Sequence, residues 1–337
     1  PTCWPKPLVA SGHMGGHFAA ELKYAGYDAL IIEGKAERPV WLSIADKKVE
    51  IKDARLLWGE GIRRATYEIH QLMGPEACVA AIGQAGENLV PMSVVMNSVS
   101  HSAGGTGGIM GSKNLKAIVV EGKDRPAIDD PEKFKFLLYE TRKLLAASPL
   151  TSQALPEFGT VVLMNIMNNI GALATRNHQQ TQFEGAEAIS GEELTDKYLV
   201  KNASCWACPI GCTRISRTEK VEGEGPEFET TWAFGAQCGI ADLPAIIEAN
   251  TLCNDLGLDT ISVGSTIACA MASAMASGSA TMPTVSPAVR SATKSPREYV
   301  LSVSTSLGRN GWTTFVETPP AFAGGLAGWE FTSKSGR

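Results

Sequence analysis

Cys205, Cys208 and Cys212 stand in the run Cys-Trp-Ala-Cys-Pro-Ile-Gly-Cys. Thiols three and four residues apart can converge on one centre. Pro209 and Gly211 between them keep the backbone out of regular helix, so the sulfurs can turn inward. Thiolate is the usual ligand of iron–sulfur clusters, and a C-x2-C-x3-C run with a distant fourth ligand suits a cluster cradle. Zinc stays open as an alternative, although neither a second C-x2-C nor a nearby histidine pair follows to complete it. Three unrelated buried thiols are the bland alternative, and the tight spacing argues against it. Disulfides are less favoured still: the chain is long enough to bury a core without them, and nothing resembles a signal peptide.

Other chemistry-bearing residues lie in three places. Glu227, Glu229 and Trp232 follow the cysteines in Gly-Pro-Glu-Phe-Glu-Thr-Thr-Trp. Glutamates of this kind are commonly solvated; near a metal centre one could move a proton if burial raised its pKa. Asn254-Asp-Leu-Gly-Leu-Asp259 reads first as a helix stop and a helix cap, and secondly as helix ends that offer donors and acceptors to a polar ligand. His101 to Lys116 is dense in glycine, and its exposed amides could cradle phosphate. It lacks the Gly-Lys-Ser/Thr order of a P-loop and the acidic residue of a dinucleotide fingerprint.

The elements that must carry these residues show in the periodicity. Residues 1–125 read as mainly β. Tyr27 to Glu33 is a buried strand, Val40 to Ile44 and Val49 to Lys52 form a hairpin, and Cys78 to Ile82 and Ala117 to Val120 are further strands. Ile62 to Met73 is a helix stopped by Gly74 and Pro75. Residues 126–277 read as mainly helical. Phe134, Leu137, Leu138, Leu144 and Leu145 are spaced to share a helix face. Ser190 with Glu193 is a capping box before a helix from Leu194 to Val200. Asp242 caps a helix that Gly257 stops, and Asp259 caps another from Thr260 to about Met275. The fold class expected is α+β, a β-rich base domain followed by a mainly helical one. Pro1 to Pro7 mark no clear domain start. Residues 278–337 carry little pattern and no Cys or His; a linker with a poorly specified segment and a reading-frame error both account for them.

The bulk numbers narrow the partners. The chain has 337 residues, 44% hydrophobic and 19% charged, with a net charge of −5. That balance gives no basic footprint for nucleic acid, and no apolar stretch has the length of a membrane span. Reduced cysteines without a leader point to the cytoplasm.

Taken together, several segments resemble the aldehyde ferredoxin oxidoreductase family of tungsten, sometimes molybdenum, enzymes. They are Gly15-Gly-His-Phe-Ala-Ala-Glu-Leu-Lys-Tyr-Ala-Gly-Tyr-Asp28, Ile82-Gly-Gln-Ala-Gly-Glu-Asn88, Met110-Gly-Ser-Lys-Asn-Leu-Lys-Ala-Ile118, the cysteine run, Gly225 to Ala236, Ile246-Ile-Glu-Ala-Asn250 and Leu256-Gly-Leu-Asp-Thr-Ile-Ser262. The resemblance covers about residues 8 to 275. It implies a β-rich base for a metal held by two pterins bridged through magnesium, with helical domains above it. It implies a [4Fe–4S] cluster that passes electrons to ferredoxin. Cys205, Cys208 and Cys212 would be three of its ligands. His13, Gly15, Gly16, His101, Gly104, Gly105, Gly107, Asn254, Gly257, Leu258 and Asp259 would bind the cofactor. Glu229 would take the proton as a small aldehyde is oxidised to its acid.

Asn254 stands where the family usually has Asp, and Thr251 where a histidine would join Glu248 at an interface metal. A homodimer is compatible with the resemblance. The family's second pterin motif, fourth cluster cysteine and active-site histidine have no counterpart in the chain. A second reading therefore stands beside the enzyme: a non-catalytic iron–sulfur or metal-binding fragment that has lost the pterin site.

Overall fold

The computed structural model describes residues 9–97, 101–276, 301–304, 307–308, 311–312 and 314–317. The expectation for Pro1 to Pro7, and most of that for 278–337, lie outside them. Two units form. The first holds residues 9–126 and 254–259 and the short strands beyond 300; the second holds 127–253 and the helix that follows residue 259.

The first unit opens with β1 (Val9–Gly12), α1 (Phe18–Tyr24) and β2 (Ala29–Ile32). Next come the β3–β4 hairpin (Val40–Ala45, Lys48–Asp53), α2 (Ile62–Met73) and β5 (Cys78–Ala81). Then follow α3 (Gln84–Glu87), β6 (Val94–Asn97), β7 (His101–Gly104), α4 (Gly107–Ser112) and β8 (Leu115–Glu121). Six of the strands make one sheet in the order β4-β3-β8-β5-β6-β7. Only β3 and β8 run parallel.

The run Ala117-Ile-Val-Val120 shows why the sheet is buried on both faces. Ile118 and Val120 join Phe18, Leu22, Leu42 and Ile44 on one side. Ala117 and Val119 join Trp41, Ile69 and Val79 on the other. A strand with both faces covered has no need of polar alternation. Each large aliphatic side chain so buried contributes about 1.5–3 kcal/mol.

The glycine-dense stretch is more regular than a cradle loop: it forms the edge strand β7 and the short helix α4. Beyond residue 300, β12 (Leu301–Ser304) pairs with β2 and β15 (Thr314–Glu317) with β1, while β13 (Leu307–Gly308) and β14 (Gly311–Trp312) pair with each other.

The second unit begins with α5 (Pro131–Ala147), where the Asp130 carboxylate accepts from the Lys133 amide at 3.0 Å. The apolar residues of α5 do share helical spacing, yet none of its residues is buried and Phe134, Leu137, Leu138 and Leu144 are exposed. Then come α6 (Leu155–Phe158), α7 (Leu163–Asn169) and α8 (Gly191–Lys197). The Ser190 hydroxyl accepts from the Glu193 amide at 3.1 Å, as the capping box predicts. The helix it starts is shorter than the pattern suggests. It stops at Lys197, and Leu199 and Val200 enter strand β9 (Leu199–Ala203). The reason is tertiary: β9 pairs with β10 (Thr213–Arg217), which also pairs with β11 (Glu222–Glu224). The unit closes with α9 (Phe228–Phe234), α10 (Leu243–Leu256) and α11 (Thr260–Ala276). The Asp242 carboxylate accepts from the Ala245 amide at 3.1 Å at the head of α10.

Candidate cofactor base and cluster site

The first unit brings the three sequence-named cofactor segments to one end of its sheet, the β6–β7 edge. Gly16 lies at φ +86°, and a Cβ there would overlap the Asn97 amide and sit 3.5 Å from His101 Cγ. Asn97 is fully buried, and its Nδ2 donates to the Gly15 carbonyl at 2.9 Å. A Cβ on Gly12, next to exposed His13, would lie 3.3 Å from the Gly104 carbonyl. The His13–Gly16 turn is thereby held against β6 and β7.

The third segment arrives from the end of α10. Gly257 turns at φ +74°. Its carbonyl accepts from the Val94 amide at 2.9 Å, and the Asp259 amide donates to the Met92 carbonyl at 2.9 Å. Leu258 forms an isolated antiparallel bridge with Ser93. Two residues before Gly257, Asp255 Oδ1 accepts from the Arg63 amide at 2.9 Å and so caps α2. An N-terminal helix amide without such a partner is left orphaned, and the helix dipole favours a carboxylate there.

Two observations fit a ligand that lies on this edge. Ser93 is buried at 1% exposure, yet its Oγ has no partner among the described residues. It sits where a Cβ on Gly107 would come within 2.9 Å. Gly104 has neither a positive φ nor any atom within 4 Å of an added Cβ. Packing within the unit does not require glycine there, whereas a backbone that a large ligand approaches closely does. Gly105 turns at φ +73° beside it. Asn254 is buried in the last turn of α10.

Sequence reasoning named Asp255 only within the segment from Asn254 to Asp259, and it missed Ser93 and Asn97. The only local signal was a polar residue at either end of the apolar run 94–96.

A buried ion pair stiffens this base. Lys116, fully buried, pairs with the Glu87 carboxylate, and its Nζ donates to the Glu60 carbonyl at 2.8 Å. The other Glu87 oxygen accepts from the Gly59 amide at 2.8 Å. Burial pushes the Lys116 ammonium below its ordinary pKa, and the Glu87 hydrogen bond and charge oppose that shift.

In the second unit the cysteines occupy the turn from β9 to β10. Cys205, Cys208 and Cys212 are unoxidised and half-buried. The Cys208 amide donates to the Cys205 carbonyl at 3.1 Å. Ala207 and Gly211 both turn left-handed, at φ +54° and +69°. Burial, then the charges of Glu227, Cys208 and Cys205, push the Cys212 thiol up. The Cys212 thiol therefore feels the other two, although among the described residues no group of three Cys, His, Asp or Glu stands at metal-ligand geometry. Mutual repulsion of thiolates is what a bound cation relieves, because metal ligation requires the deprotonated form. The donor set thus fits a metal centre chemically.

Glu229 is exposed in the first turn of α9. Glu227, whose charge acts on Cys212, accepts from the Thr160 hydroxyl; Thr160 Oγ1 in turn accepts from the Phe228 amide at 3.0 Å.

A glycine-edged sheet with room for a large cofactor, in a chain whose helical unit carries a three-cysteine turn, fits a cofactor-dependent oxidoreductase framework. Residues 6–122 match the family model described as "Aldehyde ferredoxin oxidoreductase, N-terminal domain", and residues 137–280 match "Aldehyde ferredoxin oxidoreductase, domains 2 & 3". The chain belongs to the aldehyde ferredoxin oxidoreductase family of enzymes. It is 48% identical over 268 residues to the tungsten-containing aldehyde ferredoxin oxidoreductase of Pyrococcus furiosus, covering 78% of this chain and 44% of that protein. An aliphatic sulfonate oxidoreductase, WOR-like subunit, of the same organism is 33% identical over 287 residues and 45% covered. The solved active site complex BamBC of benzoyl coenzyme A reductase superposes with a TM-score of 0.67 at 29% identity, over 79% of this chain and 43% of that one. The chain spans less than half the length of these relatives.

Proposed function

We propose that this chain supplies the pterin base and three cluster ligands of an oxidoreductase that converts a small aldehyde, or a related carbonyl, to its acid. Electrons would leave through a [4Fe–4S] cluster to ferredoxin. The observation that carries the reading is the turn of free cysteines Cys205, Cys208 and Cys212 in a chain whose relatives are named as tungsten-containing aldehyde ferredoxin oxidoreductases.

The balance is RCHO + H2O → RCOOH + 2 H⁺ + 2 e⁻. Tungsten or molybdenum with pterin and magnesium, held at this edge by the residues below, would supply the two-electron acceptor. The chain's own residues do the rest. Gly104 and Gly105 leave room for the cofactor's approach. Ser93 Oγ offers it an uncommitted hydrogen bond, and the segment from Asn254 to Asp259 borders the same edge. Asn254 can donate or accept there without adding charge. Glu229, solvent-reaching, takes the proton and hands it to water. The names of the sulfonate and benzoyl-CoA relatives carry other substrates, so the substrate class is left at carbonyls.

A second reading is an iron–sulfur or metal-binding fragment without the pterin. Anaerobic purification of the chain followed by metal, sulfide and pterin analysis separates the two. Iron with acid-labile sulfide, plus tungsten or molybdenum and a fluorescent pterin, is the expected result. Iron and sulfide alone give the second reading. Zinc without sulfide overturns both.

A further inference from the structure

Arg214, two residues past Cys212, is buried at 1% exposure. Its guanidinium is held rigidly. One terminal nitrogen donates to the Asn202 side chain, and the other to the Pro156 carbonyl at 2.7 Å and the Leu155 carbonyl at 3.4 Å. Its Nε has no partner among the described residues. Gly159 makes the placement feasible: a Cβ there would lie 2.9 Å from both Arg214 Nε and the Cys212 carbonyl. The acidic groups that act on the guanidinium are Glu227, Cys212 and Glu157. Glu227 acts on Cys212 as well. A buried cation fixed mainly by neutral carbonyls and an amide, with no carboxylate hydrogen-bonded to it in this set, is costly to the fold. The hydrogen bonds to Asn202, Leu155 and Pro156 account for the two terminal nitrogens and leave Nε, on the side of Gly159 and the Cys212 carbonyl, unaccounted for.

We propose that Arg214 is a fixed positive charge, opposed by Glu227, that sets the reduction potential of the cluster held by Cys205, Cys208 and Cys212. The inference rests on the cluster reading above. One-electron reduction adds a negative charge to the cluster. A nearby buried cation stabilises the reduced form and raises the potential; a nearby carboxylate lowers it. Arginine does not deprotonate at working pH, so its share is constant with pH. Arg214 is a tuning residue behind the ligands and does not touch substrate.

The test is a dithionite titration followed by electron paramagnetic resonance on the full chain, with iron and sulfide measured on each sample. Arg214→Gln is expected to move the midpoint to more negative potential, Arg214→Lys to leave it near the unsubstituted value, and Glu227→Gln to move it positive. A packing role would lower iron content without giving shifts of opposite sign. If Arg214→Gln fails to fold, the positive shift of Glu227→Gln and the small shift of Arg214→Lys carry the test. Unmoved midpoints, or shifts of one sign, in protein with full iron and sulfide overturn this inference alone. Absence of iron and sulfide in the unsubstituted chain overturns the cluster reading, and this inference with it.

Discussion

Lys116 and Glu87 show how one pair can hold a site it does not join. Their side chains are 0% and 5% exposed, so water compensates neither charge. Removing one partner leaves the other buried and unpaired, which costs about 3–5 kcal/mol. Lys116→Met should lower the urea midpoint by a corresponding amount, and Lys116→Met with Glu87→Leu should recover most of it. A double variant as unstable as the single one would contradict this account. Cys238 gives a second prediction. Its thiol donates to the Ala233 carbonyl at 3.3 Å, and burial pushes its pKa up to about 11. The unfolded thiol ionises first, so between about 9 and 11 the folded state binds more protons and stability falls as pH rises. The slope reaches at most about 1.4 kcal/mol per pH unit from this group. Cys238→Ser keeps the donor and does not titrate there, so thermal melts across that range should show a shallower alkaline decline.

The loop that follows α10 is held from outside itself. Asp255→Ala removes the acceptor for the Arg63 amide and should cost about 1 kcal/mol, as loss of an N-cap does. Gly257→Ala should cost more. At φ +74° a side chain is strained by about 1–2 kcal/mol, and its Cβ would also press to 2.8 Å of the Gly83 nitrogen. Both are read in a denaturant melt; a Gly257→Ala midpoint equal to that of the unsubstituted chain would show that the left-handed turn is not required. Hydrogen exchange adds the location. Asp255→Ala should speed exchange at Arg63 and Val94 while the central strand β8 stays protected.

At the scale of the molecule, residues 123–130 are all exposed, between β8 and α5. Such stretches are the preferred sites of nicking. Among the described residues, trypsin should cut first after Lys123, because the Arg125–Pro126 bond resists it, and mass spectrometry of a brief digest checks this. Early cleavage inside β3 or β8 would contradict the two-unit division. Among the same residues, no helix is long and apolar enough to cross a membrane.

The sequence by itself determined the cysteine turn, the β3–β4 hairpin, α2 with its bounds, and the Ser190 and Asp242 caps. Each depends on spacing or on chemistry within a few residues, and such signals survive whatever packs around them. The family was legible for the same reason, since its segments lie in order along the chain. The tertiary structure decided the rest. It ended α8 at Lys197, because pairing with β10 outweighs helical propensity at Leu199 and Val200. It made the glycine stretch an edge strand and a helix. It gave Glu227 the Thr160 hydroxyl as a partner and left Glu229 exposed, and it set Asp255 on a helix end that lies 192 positions away in sequence. Partners that far apart leave no local pattern, because only the folded chain brings them within reach of one hydrogen bond.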